Sequence, residues 1–114
     1  MASEGLHEAS QELTPLTRDL HRAIVSLKEE LEAIDWYQQR VDATADEELR
    51  TILAHNRDEE KEHASMVLEW IRRHDPAFDT NLKKYLFTTE PITERPETSA
   101  TSETRAAGGK RWNG

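Results

Sequence analysis

Glu30, Glu60 and His63 are the residues best placed to do chemistry, because they stand at positions where apolar side chains belong. Glu30 lies three residues after Leu27 and four before Ile34. Glu60 and His63 fall between Ile52 and Asn56 on one side and Val67 and Ile71 on the other. An ionised carboxylate in an apolar seam costs several kcal/mol or more unless it is paired or bound to a metal. Glu60-Lys61-Glu62-His63 reads Glu-x-x-His, and on a helix positions i and i+3 share a face, so both donors can point at one ion. Dinuclear carboxylate sites in four-helix bundles take a lone Glu from each of two helices and Glu-x-x-His from each of the other two. One chain carries half of that set, and a two-fold dimer would supply the rest. A blander reading stands beside this one. Acidic helices produce Glu-x-x-His by chance, and Asp58, Glu59, Lys61 and Glu62 would suit a solvated face. Glu30, at a matching stripe position on the other helix, favours the metal.

The elements that must hold these residues follow from periodicity. Thr14-Pro15 has the form of an N-cap followed by proline at the first helical position. From there to about Val41, Leu20, Ala23, Ile24, Leu27, Leu31, Ile34 and Tyr37 recur at three- and four-residue steps, which predicts an amphipathic helix. Asp42 to Ala45 breaks it. Thr44-Ala45-Asp46-Glu47 has the form of a capping box opening a second helix, whose stripe runs Leu49, Ile52, Leu53, Asn56, Glu60, His63, Val67, Trp70 and Ile71. Arg72, Arg73 and His74 suit the negative end of its dipole. Asp75-Pro76 stops it and caps a short third helix reaching about Phe87. The fold class expected is all-α: an antiparallel two-helix hairpin plus a short third helix, dimerising into a four-helix bundle. A helix of roughly 26 residues spans about 39 Å, and two cannot hide both apolar stripes alone. Residues 1–14 are expected to be flexible, 15–87 to form the helical domain, and 88–114 to be a disordered tail rich in Pro, Thr, Ser, Glu, Ala and Gly.

Composition narrows the function classes. The chain has 114 residues, a net charge of −8 and no cysteine. Disulfides, thiolate zinc sites and iron–sulfur clusters are excluded. The acidic balance argues against nucleic acid as partner. No apolar stretch approaches the roughly 20 residues of a membrane span, so no membrane association is expected. The polar, acidic start MASEGLHEASQE does not read as a leader.

The runs HRAIVSLKEELEAIDWYQQRVDA and ILAHNRDEEKEHASMVLEWIRR, followed by YLFTTEPIT, resemble the encapsulated ferritins, ferroxidases that reside inside encapsulin protein shells. The resemblance covers about residues 18–93, and EELEAIDWY and HNRDEEKEH are its most specific segments. It implies that Glu30, Glu60 and His63 hold two irons where two subunits meet. It implies that Glu29 and Glu32 form an outer uptake site for metal, calcium or another divalent ion included. Trp36 and Tyr37 match aromatics near the centre, and Tyr37 joins the expected catalytic set. Dimers in the family form a ring-shaped decamer without a storage cavity, so mineral collects in the surrounding shell. The expected partners are therefore a second copy of the chain and an encapsulin shell protein, in a cytoplasmic nanocompartment. Family tails commonly carry a short Gly- and Leu-containing docking peptide, whereas this chain ends AAGGKRWNG, with the Gly-rich spacer but not the apolar anchors.

The remaining residues have simpler readings beside these. Glu29 and Glu32 could be solvated charge. Trp36 and Trp70 are expected to pack, Met66 to fill core, and Tyr37 either to pack or to hydrogen-bond a ligand. His21, His55 and His74 read as surface residues, although His55, Glu59 and His63 share a helical face. Two other functions fit the pattern less fully. One is a non-enzymatic helical interaction module with polar stripe residues setting specificity. The other is a rubrerythrin-like di-metal peroxidase, which usually brings a four-cysteine iron domain that this chain cannot build.

Overall fold

The computed structural model describes residues 5–94. The expectations for the tail from residue 95 and its Gly-rich end lie outside the described residues. Within them the chain is all-helical, with α1 (Pro15–Ala43), α2 (Glu47–His74), α3 (Pro76–Tyr85), two single 3-10 turns (Ser10–Glu12 and Ile92–Glu94), and no strand. None of these helices is long and apolar enough to cross a membrane.

α1 starts where Thr14-Pro15 predicted. The Thr14 side chain accepts from the Thr17 backbone N–H at 3.0 Å, satisfying a donor that the first helical turn leaves unpaired. The segment before it, in which no periodicity signals an element, is tied to the helix. Arg18 donates from Nη1 to the carbonyl oxygens of Ser10 (2.9 Å) and Leu13 (2.6 Å), which holds the 3-10 turn against the first turns of α1. That long-reach side chain is invisible to periodicity because it acts on backbone oxygens rather than on an apolar stripe.

The turn between α1 and α2 is tighter than the spacing suggested. α1 runs two residues past Val41, and Thr44 becomes its C-cap, its N–H bonding to the Arg40 carbonyl at 3.1 Å. The N-cap of α2 is Asp46, not Thr44: the Asp46 carboxylate accepts from the Leu49 N–H at 2.8 Å. The Thr44 hydroxyl accepts from the Asp46 N–H at 3.2 Å and so shapes the turn instead. Arg50 reaches back from α2, donating from Nε to the Val41 carbonyl (3.2 Å) and from Nη2 to the Thr44 carbonyl, and pairs with Glu47. These bonds satisfy carbonyls that the end of α1 would otherwise leave open.

The pairing between the long helices runs backwards along the chain. Arg50 meets Val41, Arg57 meets Gln38, and His63 meets Glu30. The hairpin is therefore antiparallel, as expected. Along α2 the side facing α1 repeats every seven residues as Arg50, Arg57, Ala64 and Ile71. Ala64 and Ile71 are the buried apolar residues among those described. Much of the two stripes stays open. Ile24, Leu31, Ile52 and Met66 are each more than half exposed, and so is Trp36. Met66 and Trp36 were expected to pack inside, and within one chain they do not.

Among the described residues, 75–94 belong to a compact unit separate from the hairpin. Its helix begins as expected, with the Asp75 carboxylate accepting from the Phe78 N–H at 3.0 Å and proline at the first position. α3 stops at Tyr85, short of Phe87: Leu86 already turns to extended backbone (ψ 149°), its N–H bonding to the Leu82 carbonyl, and Phe87 follows in the left-handed region at φ of 61°.

Two outcomes test this local reading. Replacing Asp46 with alanine should cost about 1 kcal/mol in a urea melt, and Thr44→Ala clearly less; the reverse order would return the cap to Thr44. Near the end of α2, Glu69 accepts from Arg72 (2.8 Å) and Arg73 (2.7 Å), and these guanidiniums hold its carboxyl down at about 2 from an ordinary 4.5. A depressed carboxyl stabilises the fold above its unfolded value and loses that effect as pH falls through the folded one. The gap in melting temperature between wild type and Glu69→Gln should therefore be small at neutral pH, as befits a solvated pair, and close between pH 4.5 and about 2.

Candidate metal centre

α1 and α2 bring Glu30, Glu60 and His63 together in one chain. One donor atom from each lies within 4.8 Å of the others, and among the described residues no other three His, Asp or Glu side chains converge in this way. His63 Nδ1 is 3.2 Å from Glu60 Oε1 and 3.7 Å from Glu30 Oε1. The first contact is the i, i+3 pair of the Glu-x-x-His motif. The second crosses the hairpin, so no local motif could contain it. All three side chains are neither buried nor fully solvated: Glu60 and Glu30 are about a quarter exposed (24% and 25%) and His63 is 43% exposed. This is the position of groups on the rim of a seam.

The electrostatics of the cluster follow from that crowding. Glu30 is held above its ordinary 4.5, first by its side-chain hydrogen bond with Glu60, then through burial and repulsion by the Glu60 charge. Glu60 moves the other way, lowered first by accepting that hydrogen bond and then by His63. His63 is raised, chiefly by its hydrogen bond to Glu60, against the effect of burial. The two carboxylates thus cannot both ionise freely, and positive charge is favoured beside them. A divalent cation is one source of that charge. Two carboxylates and one imidazole form an oxygen-rich donor set with a single nitrogen, which suits Fe(II) or Mn(II).

The other expected site residues are not drawn into the cluster within one chain. Glu29 and Glu32 are exposed on α1, and Glu29 touches the site only through its charge, adding to the upward push on Glu30. Tyr37 is half-buried two turns beyond Glu30, with the Arg40 guanidinium 5.3 Å from its ring centre. Trp36 lines a shallow groove with Gln39, Arg40 and Ala43. His55 and Glu59 do not converge on His63. His74, read as a plain surface residue, stacks on Trp70 with ring centres 4.0 Å apart, its Nδ1 2.8 Å from the Trp70 carbonyl oxygen. An open apolar groove bounded by Ala23, Ser26, Met66, Val67 and Trp70 lies one turn from Glu30 on α1 and one turn from His63 on α2.

The chain is 60% identical over 92 residues to the encapsulated ferritin-like protein of Rhodospirillum rubrum, covering 81% of this chain and 66% of that one. It is 59% identical over 102 residues to a ferritin-like protein of Thermotoga maritima, covering 89% and 90%. A shorter match, 44% over 59 residues and about half of each chain (51% and 45%), is to the encapsulin nanocompartment cargo protein EncC of Myxococcus xanthus. Among solved structures, protein ne0167 from Nitrosomonas europaea superposes with a TM-score of 0.76 at 68% identity, over 78% of this chain and 98% of that one. The EncFtn-like family profile matches residues 5–89, which include the whole hairpin and all three candidate ligands. The chain belongs to the EncFtn-like family.

Proposed function

We propose that the protein is a ferroxidase that oxidises Fe(II) to Fe(III) with O2 at a di-iron site shared by two subunits, and that it serves iron storage inside an encapsulin compartment. The observation that carries this reading is the convergence of Glu30, Glu60 and His63 on the open edge of the hairpin. One such set is half of a dinuclear carboxylate site. A two-fold partner doubles it to four carboxylates and two imidazoles. Four negative charges balance two Fe(II) ions, so the filled seam is neutral and can be closed from water at low cost. The half-exposed Ile24, Leu31, Ile52 and Met66 support the same arrangement, since covering what remains open of each stabilises assembly by about 1 kcal/mol apiece.

In this reading Fe(II) is the substrate. Glu30 and Glu60 bind it through carboxylate oxygens, and His63 supplies the nitrogen. The side chains hold two ions close, so that O2 can draw an electron from each in one encounter, and they leave coordination positions open for O2 and water. Glu29 and Glu32, exposed on the same helix, raise the local concentration of cations and pass them inward; a calcium ion could occupy the same carboxylates. Tyr37 and Trp36 are the aromatics assigned to the neighbourhood of the centre in this reading. The encapsulin shell as partner is supported by relatives whose names describe encapsulated and cargo proteins. A decameric ring of such dimers, lodged in the shell, completes the reading.

Three measurements test this function. Glu30→Ala and His63→Ala should each lower the rate of Fe(II)-dependent O2 uptake by more than about a hundredfold, because a direct ligand contributes more than the outer partners whose loss already costs about 10- to 100-fold; wild-type rates in both would end the assignment. Anaerobic Fe(II) should shift sedimentation from small species toward dimers and larger rings. At a hundred times its Kd, metal adds about 2.7 kcal/mol per site to assembly. Identical profiles with and without Fe(II) would break the link between metal and dimer. Finally, O2 should oxidise the bound Fe(II) faster than hydrogen peroxide does. The opposite order would favour a peroxidase, and no Fe(II)-dependent O2 uptake at all would favour a helical interaction module.

A further inference from the structure

We propose that Arg57 is a positioning residue for the metal centre: by donating to Gln38 across the hairpin, it sets the register at which Glu30 meets Glu60 and His63. The proposal rests on the reading of those three residues as a metal site. Arg57 lies one turn before Glu60 on α2, and its side chain is only 19% exposed. Its Nη1 donates to Gln38 Oε1 at 2.9 Å, and its Nε donates to Asp58 Oδ1 at 3.0 Å. Gln38 is held in turn, donating from Nε2 to Asp42 Oδ1 at 3.0 Å, which leaves its oxygen turned toward Arg57. The result is a chain of polar contacts, Asp42–Gln38–Arg57–Asp58, pinned at both ends.

This bond does something that the apolar seam cannot. Hydrophobic contact is non-directional and tolerates sliding. At the buried end of the α2 face stand Ala64 and Ile71, neither of which can specify an axial position by hydrogen bonding. On the loop side, Arg50 bonds to carbonyls at the end of α1 and fixes the turn itself. Between the turn and the ligands, the bond from Arg57 to Gln38 crosses from one helix to the other. A slip of one residue moves a helix by about 1.5 Å and turns it by about 100°. A metal constellation needs its ligands held within about 0.5 Å. Glu30 is the single ligand on α1, so it alone would be carried off by such a slip, while Glu60 and His63 would keep their mutual spacing.

Cobalt(II), titrated into the full-length chain and followed by its visible d–d absorption, reads both affinity and ligand geometry. Wild type should bind it. Arg57→Leu and Gln38→Leu should each weaken binding about tenfold and alter the absorption band, as loss of an orienting partner does. The double variant should bind no more weakly than either single one, because both remove the same bond. Arg57→Lys, which keeps a donor for the Gln38 oxygen, should bind more tightly than Arg57→Leu, whereas a loss owed to packing alone would be the same in both. Circular dichroism melts on the same samples read folding separately. Wild-type cobalt affinity in Gln38→Leu, additive losses in the double variant, or losses that follow melting temperature alone would overturn the role of Arg57. If wild type itself binds no cobalt, the metal-centre reading fails first, and the two failures are thereby told apart.

Discussion

Two carboxylates within reach of each other at the edge of an apolar seam are unstable as a pair of anions. Glu30 and Glu60 are in that position, and His63 stands beside both. One carboxyl is driven up and the other down, first of all by the hydrogen bond between them. A fold that only needed stability would place leucine at these positions, since apolar pairs of similar size are usually as stable as buried polar ones. The chain instead carries acids where a cation can bind them, and the remaining features of the hairpin make sense around that requirement.

The first consequence is incompleteness. A hairpin of two long helices buries few side chains, and apolar residues of both stripes stay open beside the acids. Apolar surface and unbalanced charge are thus left exposed together. A second copy would relieve both: the apolar residues would cover one another, and the doubled acids would become a dianionic site for each of two divalent ions. Coupling assembly to metal in this way needs no moving part. It follows from placing the charge inside the interface rather than beside it.

The second consequence is a demand for register. Ligands on two different helices must agree along the helix axis as well as around it. Apolar packing supplies affinity without direction, so directed bonds are needed near the turn. Arg50 and Arg57, seven residues apart on one face of α2, provide them, and the apolar residues continue the same face at Ala64 and Ile71. The guanidinium is suited to this, with several donors in a rigid plane that can bridge backbone and side-chain oxygens at once.

The sequence by itself determined the elements and the candidate ligands. Three-and-four spacing marked α1 and α2, Pro15 and Pro76 marked two helix starts, and Glu30, Glu60 and His63 stood out because charge at an apolar position is a local contradiction. Such features depend on residues within a turn of one another, so periodicity reports them. Tertiary structure decided the rest. Whether Thr44 or Asp46 caps α2 depended on the path of a three-residue turn. Arg18, Arg50 and Arg57 act over distances of five to nineteen residues along the chain, on oxygens that carry no sequence signature. How much of Ile24, Leu31, Ile52 and Met66 is covered by their own chain was likewise set by the crossing of two helices. A stripe in sequence states which face is apolar, but only packing in three dimensions divides that face between the partner helix and the surface left open.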